Sequence, residues 1–252
     1  MTRTHLFTLL QARNPSDPAR ADEHRAFADK LGLSVDRIRA VDVLTEPLDK
    51  QLLEGSHALL VGGSGEYSVL DDLPAIRRMI DFLAMAAESG HPMFASCFGF
   101  QALAVGLGGS AVHDEANAEV GTYDLRLTDA GTVDPLFGAL PPAFKAQLGH
   151  KDQVDRLPGC CINLAESDRT AYQAYRVEGR PVYATQFHPE LSYLENRARF
   201  ERYYAEYGRV FGEAAARAQL EGHLPSPEAN TLLMRFARAF VPNALNGAGE
   251  GA

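Results

Sequence analysis

The stretch Pro92-Met93-Phe94-Ala95-Ser96-Cys97-Phe98-Gly99-Phe100-Gln101 decides how this chain is read. A short apolar run ends in a cysteine with a small residue two positions away on each side, Ala95 and Gly99. An apolar helical pattern follows from Phe98 to Leu107 and stops at Gly108-Gly109. The pattern predicts a strand, a sharp turn and a helix, with a nucleophile on the turn. Such a turn crowds the backbone, so its flanking positions need small side chains. A cysteine there faces the positive end of a helix, which favours the reactive thiolate. The amide of Phe98 would point to where a substrate oxyanion forms. A buried cysteine is also commonly an inert small hydrophobe. The turn alone therefore does not decide for catalysis.

Working outward, the apolar run is one of several that alternate with helical patterns. Leu6 to Leu10 reads as a buried strand, Ala19 to Leu31 as a helix stopped by Gly32, and Val35 to Leu44 as a second strand. His57 to Val61 is an apolar run ending in Gly62-Gly63-Ser64-Gly65, and Asp71 to Ser89 reads as a helix with Pro74 in its first turn. This alternation predicts an α/β fold with a mostly parallel central sheet flanked by helices. From Ala111 to Leu127 and from Ala143 to Arg180 the pattern changes to strand-like runs broken by turns, which predicts an antiparallel-rich portion. Val182 to Gln186 reads as a further strand, Leu191 to Ala216 and Pro227 to Phe240 as C-terminal helices, and Asn246 to Ala252 as a frayed end.

Composition narrows the function classes. The chain has 252 residues, 46% hydrophobic and 23% charged, as in an ordinary globule. A net charge of −9 argues against nucleic acid and anionic membrane surfaces as partners. Three cysteines do not make a disulfide framework, and no stretch approaches the ~20 apolar residues that span a bilayer. The N-terminal apolar segment is too short for a signal peptide, so a cytoplasmic location is expected. Cys160 and Cys161 lack metal-ligand spacing and read as structural.

A cysteine nucleophile needs a base, and the base needs an orienting group. His188-Pro189-Glu190 follows the Val182–Gln186 strand and offers both. Residues two apart in extended chain share a face, and Pro189 holds His188 extended. The imidazole of His188 would meet Cys97 while Glu190 fixes its tautomer. The Gly62–Glu66 turn has three readings: a phosphate cradle, for which it lacks the usual spacing; an extra oxyanion donor; or a plain loop.

Val61-Gly62-Gly63-Ser64-Gly65, Ala95 to Gln101, and Gln186-Phe187-His188-Pro189-Glu190 occur in the order and approximate spacing of the class I, triad-type glutamine amidotransferases, and the chain resembles that family. Gly149-His150-Lys151-Asp152-Gln153-Val154 is similar to a segment of the guanylate (GMP) synthase glutaminase branch. The resemblance implies a flavodoxin-like amidotransferase domain over residues 1–204, with residues 205–252 as a helical extension. It implies cysteine-dependent hydrolysis of glutamine or a related small-molecule γ-glutamyl amide through a thioester. Cys97, His188 and Glu190 would be catalytic, and the amides of Gly65 and Phe98 would hold the oxyanion. Gln101, Gly63 and His150 would contact substrate, with no metal and no cofactor. Two positions depart from the family: Ala95, where glycine is usual, and Phe100, where histidine is frequent. No ATP-using synthetase pattern follows Arg202. That leaves a free-standing γ-glutamyl hydrolase or transferase, or a glutaminase delivering ammonia to a separate synthetase. A non-catalytic cysteine-based binding or sensor module is the third alternative, and the intact His188-Pro189-Glu190 argues against it.

Overall fold

Each parallel strand is short, apolar and largely buried, as expected when helices cover both faces of a sheet. The computed structural model describes residues 6–242. Eleven strands lie among them: β1 (Phe7–Gln11), β2 (Ile38–Asp42), β3 (Ala58–Val61), β4 (Met93–Ser96), β5 (Ser110–His113), β6 (Glu119–Leu127), β7 (Ala143–His150), β8 (Asp152–Arg156), β9 (Cys161–Glu166), β10 (Ala174–Val177) and β11 (Val182–Thr185). Nine of them form one sheet in the order β2-β1-β3-β4-β11-β10-β9-β6-β7, and β5 pairs with β8 in a second sheet. From β2 to β11 every pairing is parallel. From β11 through β10, β9, β6 and β7 every pairing is antiparallel. The sheet is thus the expected mixture, with the change of direction at β11, the strand that leads to His188.

The helices are α1 (Ala19–Leu31), α2 (Lys50–Gly55), α3 (Pro74–Glu88), α4 (Phe98–Gly106), α5 (Asp129–Thr132), α6 (Tyr193–Arg202), α7 (Tyr204–Phe211), α8 (Glu213–Glu221) and α9 (Leu232–Phe240). Alternate residues of each strand feed two cores. Phe7, Leu9 and Phe94 pack with Phe27 of α1 and Phe236 of α9. Leu10, Met93 and Ala95 pack with Met79 of α3 and Phe98 of α4. The expected helix from Leu191 to Ala216 is broken at Tyr203 and Gly212 into α6, α7 and α8. Gly212 has φ +86, a conformation that L side chains rarely adopt, and it turns the chain between α7 and α8. The expected second strand is shorter than Val35–Leu44, because Val35–Arg37 forms a 3-10 turn first. The expected frayed end, Asn246–Ala252, lies outside the described residues. Among the described residues no helix is long and apolar enough to cross a membrane.

Candidate active site

The β4–α4 turn carries Cys97 at φ 52, ψ −104, and Cys97 is the only non-glycine at positive φ among the described residues. A backbone conformation of this kind costs about 1–3 kcal/mol in a residue with a side chain, so its neighbours must hold it in place. Two of them do so. The Cys97 N–H donates to the Thr185 carbonyl at 2.8 Å, continuing the β4–β11 register. Gly99 lets α4 lie against β3, since a Cβ there would stand 2.6 Å from Val61 Cγ1. The small residues around the cysteine are therefore required by packing, as the sequence predicts. Cys97 sits at the N-terminal end of α4, where the first N–H groups, Phe98 included, lack intrahelical partners.

Because β11 is the parallel neighbour of β4, its continuation passes beside Cys97. His188 donates its backbone N–H to the Gln147 carbonyl at 2.8 Å, which fixes its place against β7. Its ring Nδ1 lies 2.6 Å from Glu190 Oε1, and Cys97 is close enough to raise its pKa. Both His188 and Glu190 are buried. Burial opposes the imidazolium, but the charges of Glu190 and Cys97 outweigh it and raise the His188 pKa to about 9. Burial likewise opposes ionisation of Glu190, and His188 and Arg199 outweigh it and lower its pKa. Cys97, His188 and Glu190 thus come together in one buried cluster, the set of groups that a nucleophile with a base and an orienting carboxylate would need.

A cleft of about 310 Å³ opens over Cys97 and Phe98. Gly65, Gln101 and His150, all singled out from sequence, line it. Their free hydrogen-bonding capacity differs. Gln101 Nε2 donates to the Asp152 carbonyl at 2.6 Å and to Gln186 Oε1 at 3.1 Å, tying α4 to the chain just before His188. His150 has Nδ1 3.0 Å from the Asp152 carbonyl and Nε2 3.1 Å from Glu119. Gly63 donates its N–H to Glu23 Oε1 at 3.1 Å, and it is absent from the cleft wall. A Cβ on Gly63 would stand 2.8 Å from His188 Cε1, so glycine is needed there for the close approach of the imidazole. Phe100 does not reach the cleft: it is fully buried, with its ring 4.8 Å from that of Tyr175.

Sequence reasoning missed the support beneath the glycine loop. Glu23 in α1 is buried and accepts from Gln11, from Arg13 at 3.0 Å and from Gly63. Arg13 also pairs with Asp17 at 2.9 Å. A Cβ on Gly62 would collide with the Glu23 carboxylate. One signal was available: Glu23 precedes Phe27 and Leu31 at intervals of four, which places a carboxylate on the apolar stripe of α1. Also missed were the contributions of α6 and α7. A second, smaller pocket of about 50 Å³ touches both Cys97 and His188 and is walled by Asn196, Arg199, Phe200 and Tyr203.

Comparisons with known proteins identify the family and the fold. Residues 26–202 match the glutamine amidotransferase class-I family. A glutamine-hydrolysing GMP synthase subunit of Halobacterium salinarum is 30% identical over 184 residues, covering 73% of this chain and 90% of that one. A γ-glutamyl-L-1-hydroxyisopropylamide hydrolase of a Pseudomonas species is 32% identical over 152 residues, covering 58% of this chain and 51% of that one. The chain spans only 31% and 20% of the GMP synthases of Aspergillus fumigatus and Thermosipho africanus that it matches. In fold it is similar to a glutamine amidotransferase of Thermotoga maritima, with TM-score 0.68, 18% identity and coverage of 98% of this chain and 99% of that one. The chain belongs to the class I glutamine amidotransferase family.

Proposed function

We propose that this chain hydrolyses a γ-glutamyl amide through a γ-glutamyl thioester on Cys97. The observation that carries the reading is the strained cysteine at the N-terminus of α4, lining one pocket with a histidine whose Nδ1 lies 2.6 Å from Glu190. Cys97 Sγ attacks the side-chain carbonyl carbon, and its proton passes by way of His188. The oxyanion meets the Phe98 N–H and the Gly65 N–H at the cleft wall. The C–N bond breaks as His188 protonates the leaving nitrogen. Water, giving a proton to His188, then adds to the thioester. The C–S bond breaks, releasing glutamate and restoring the Cys97–His188 pair. Glu190 orients His188 and balances the imidazolium, while bond-making stays with the other two.

The free-standing form of this chemistry is the one we favour, on a substrate whose leaving amine is larger than ammonia. The cleft of about 310 Å³, with a further pocket beside His188, offers space on both sides of the scissile bond. The similarity to a hydrolase of a γ-glutamyl amide supports it. The similarity to a glutamine-hydrolysing GMP synthase subunit favours a second reading, a glutaminase supplying ammonia to a separate synthetase. The test is amine and glutamate release by the pure chain from glutamine and a panel of γ-glutamyl amides. Turnover of a substituted amide by wild type and none by C97A is the expected result. Inertness on every amide, with glutaminase activity appearing only when a synthetase is added, would replace the first reading by the second.

A further inference from the structure

The two spaces over Cys97 differ in charge. The outer cleft bears the carboxylates Glu66, Asp71, Asp152 and Glu206 against Lys151 and His113. The inner pocket, among the described residues, is lined by no acidic residue and by two arginines, Arg13 and Arg199, the latter also bordering a neighbouring pocket with Asp22, Asp29 and Glu195. It also contains His188, which the outer cleft does not. The acid that protonates a leaving nitrogen must lie within hydrogen-bond reach of it. A substituent on that nitrogen therefore extends into the space that His188 lines.

We propose, building on the hydrolase reading above, that the inner pocket is a leaving-group subsite selecting a compact amine that carries a carboxylate, so that the preferred substrates are γ-glutamyl conjugates of small amino acids. The size fits. About 50 Å³ is room for about four waters, enough for a carboxylate and a carbon or two. The charges fit as well. Arg13 is 2% exposed, and although Asp17 and Glu23 hold its terminal nitrogens, its buried Nε has no partner. Arg199 forms no salt bridge among the described residues, and its charge is felt by the nearby Glu190. A substrate carboxylate would give Arg199 the partner it lacks and the pocket the negative charge it lacks. The glutamyl half, with its α-ammonium, then faces the carboxylate-rich outer cleft.

The test compares γ-glutamylglycine with γ-glutamylglycinamide, which match in size and differ in charge. At low ionic strength the wild-type kcat/KM should favour the acid by about tenfold or more, as expected for a charge-assisted contact. In R199M the ratio should fall to near one, mainly through KM for the acid, and R199K should keep part of the preference. The triad is common to both substrates, so a general effect of Arg199 on Glu190 cancels in the ratio. Equal or better hydrolysis of the amide by wild type would overturn the subsite and leave the hydrolase reading standing. So would a ratio unchanged in R199M. Failure to hydrolyse either compound would overturn the subsite as well, and turnover of other γ-glutamyl amides in the same assay would then keep the hydrolase reading, while inertness on all of them would remove both.

Discussion

Replacing Glu190 by Gln tests the electrostatic logic of the site directly. His188 is buried, and burial alone would push its pKa below the ordinary 6.5; Glu190 and Cys97 instead hold it at about 9. The rise corresponds to about 3 kcal/mol of preference for the imidazolium. At pH 7.5 a group titrating at about 9 is ~97% protonated, whereas one at 6.5 or below is at most ~10% protonated. E190Q keeps the shape of the side chain and removes its charge. The His188 pKa should then fall, because one of the two charges that raise it is gone, and the imidazolium fraction at pH 7.5 falls with it. The His188 ring protons, followed by NMR against pH, report the titration, and the rate of Cys97 alkylation reports its consequence. Linkage adds a second readout. A raised histidine stabilises the fold fully below 6.5, and the benefit disappears as pH rises through about 9. Wild-type melting temperature should fall across that window, and that of H188Q should not show the same fall. The reasoning is refuted if His188 in E190Q still titrates near its wild-type value, since something other than Glu190 would then hold the charge.

Four further outcomes are expected. A γ-glutamyl affinity reagent should label Cys97 ahead of Cys160 and Cys161, because burial raises the Cys161 pKa and neither thiol lies beside a histidine–carboxylate pair; peptide mass mapping reads this. Gly99→Ala should destabilise by about 1–3 kcal/mol in urea titration, since the added methyl must displace Val61 from 2.6 Å. Phe100→Ala should cost about 3–5 kcal/mol of stability while leaving the relative rates on different amides unaltered, because the ring packs on Tyr175 and does not line the cleft. Glu23→Ala should cost about 3–5 kcal/mol and depress kcat, since it strips Arg13 of one partner and leaves the Gly63 N–H without its acceptor; Glu23→Gln should be milder, with denaturant midpoints and steady-state rates as the readouts.

What the sequence made legible was local. The run Met93–Ser96 followed by Cys97 and Gly99 specifies its own geometry, because the small residues are needed within a few ångströms of the cysteine. The His188-Pro189-Glu190 pair is equally local, two side chains on one face of extended chain. The mixed sheet was readable from the change of hydrophobic pattern after Gly109. Less readable were interactions whose partners are distant in sequence. The spacing of Glu23 with Phe27 and Leu31 places it on the inner face of α1 but does not reveal its partner, since Gly63, whose N–H donates to it, lies 40 residues away. Gln101 and His150 look like substrate contacts by position, yet much of their hydrogen-bonding capacity goes to Asp152, Gln186 and Glu119. The break of the long C-terminal helical pattern into three helices was hidden because Tyr203 and the residues around it have ordinary helical propensity.

Both helices flanking the break contribute to the site. Residues on both sides of the break at Tyr203 line the two spaces over Cys97. With the turn at Tyr203, α6 supplies Asn196, Arg199 and Phe200 to the inner pocket, while Tyr203 and Tyr207 reach both spaces and Glu206 the outer one. Lys151, just after β7, pairs with Glu206 at 2.8 Å and closes the wall. The proposed nucleophile, base and orienting carboxylate, Cys97, His188 and Glu190, thus come from strand ends and turns fixed by the sheet. Much of the surface that a leaving amine would meet comes instead from α6 and α7. Rigid strand ends hold the reacting atoms in the narrow range of positions that the chemistry requires. Helices packed over them can change side chains without moving the triad, and this is where substrate choice is most readily altered. The charge contrast between the two spaces follows this division, with Arg199 on α6 and Glu206 on α7 facing different halves of the same cleft system.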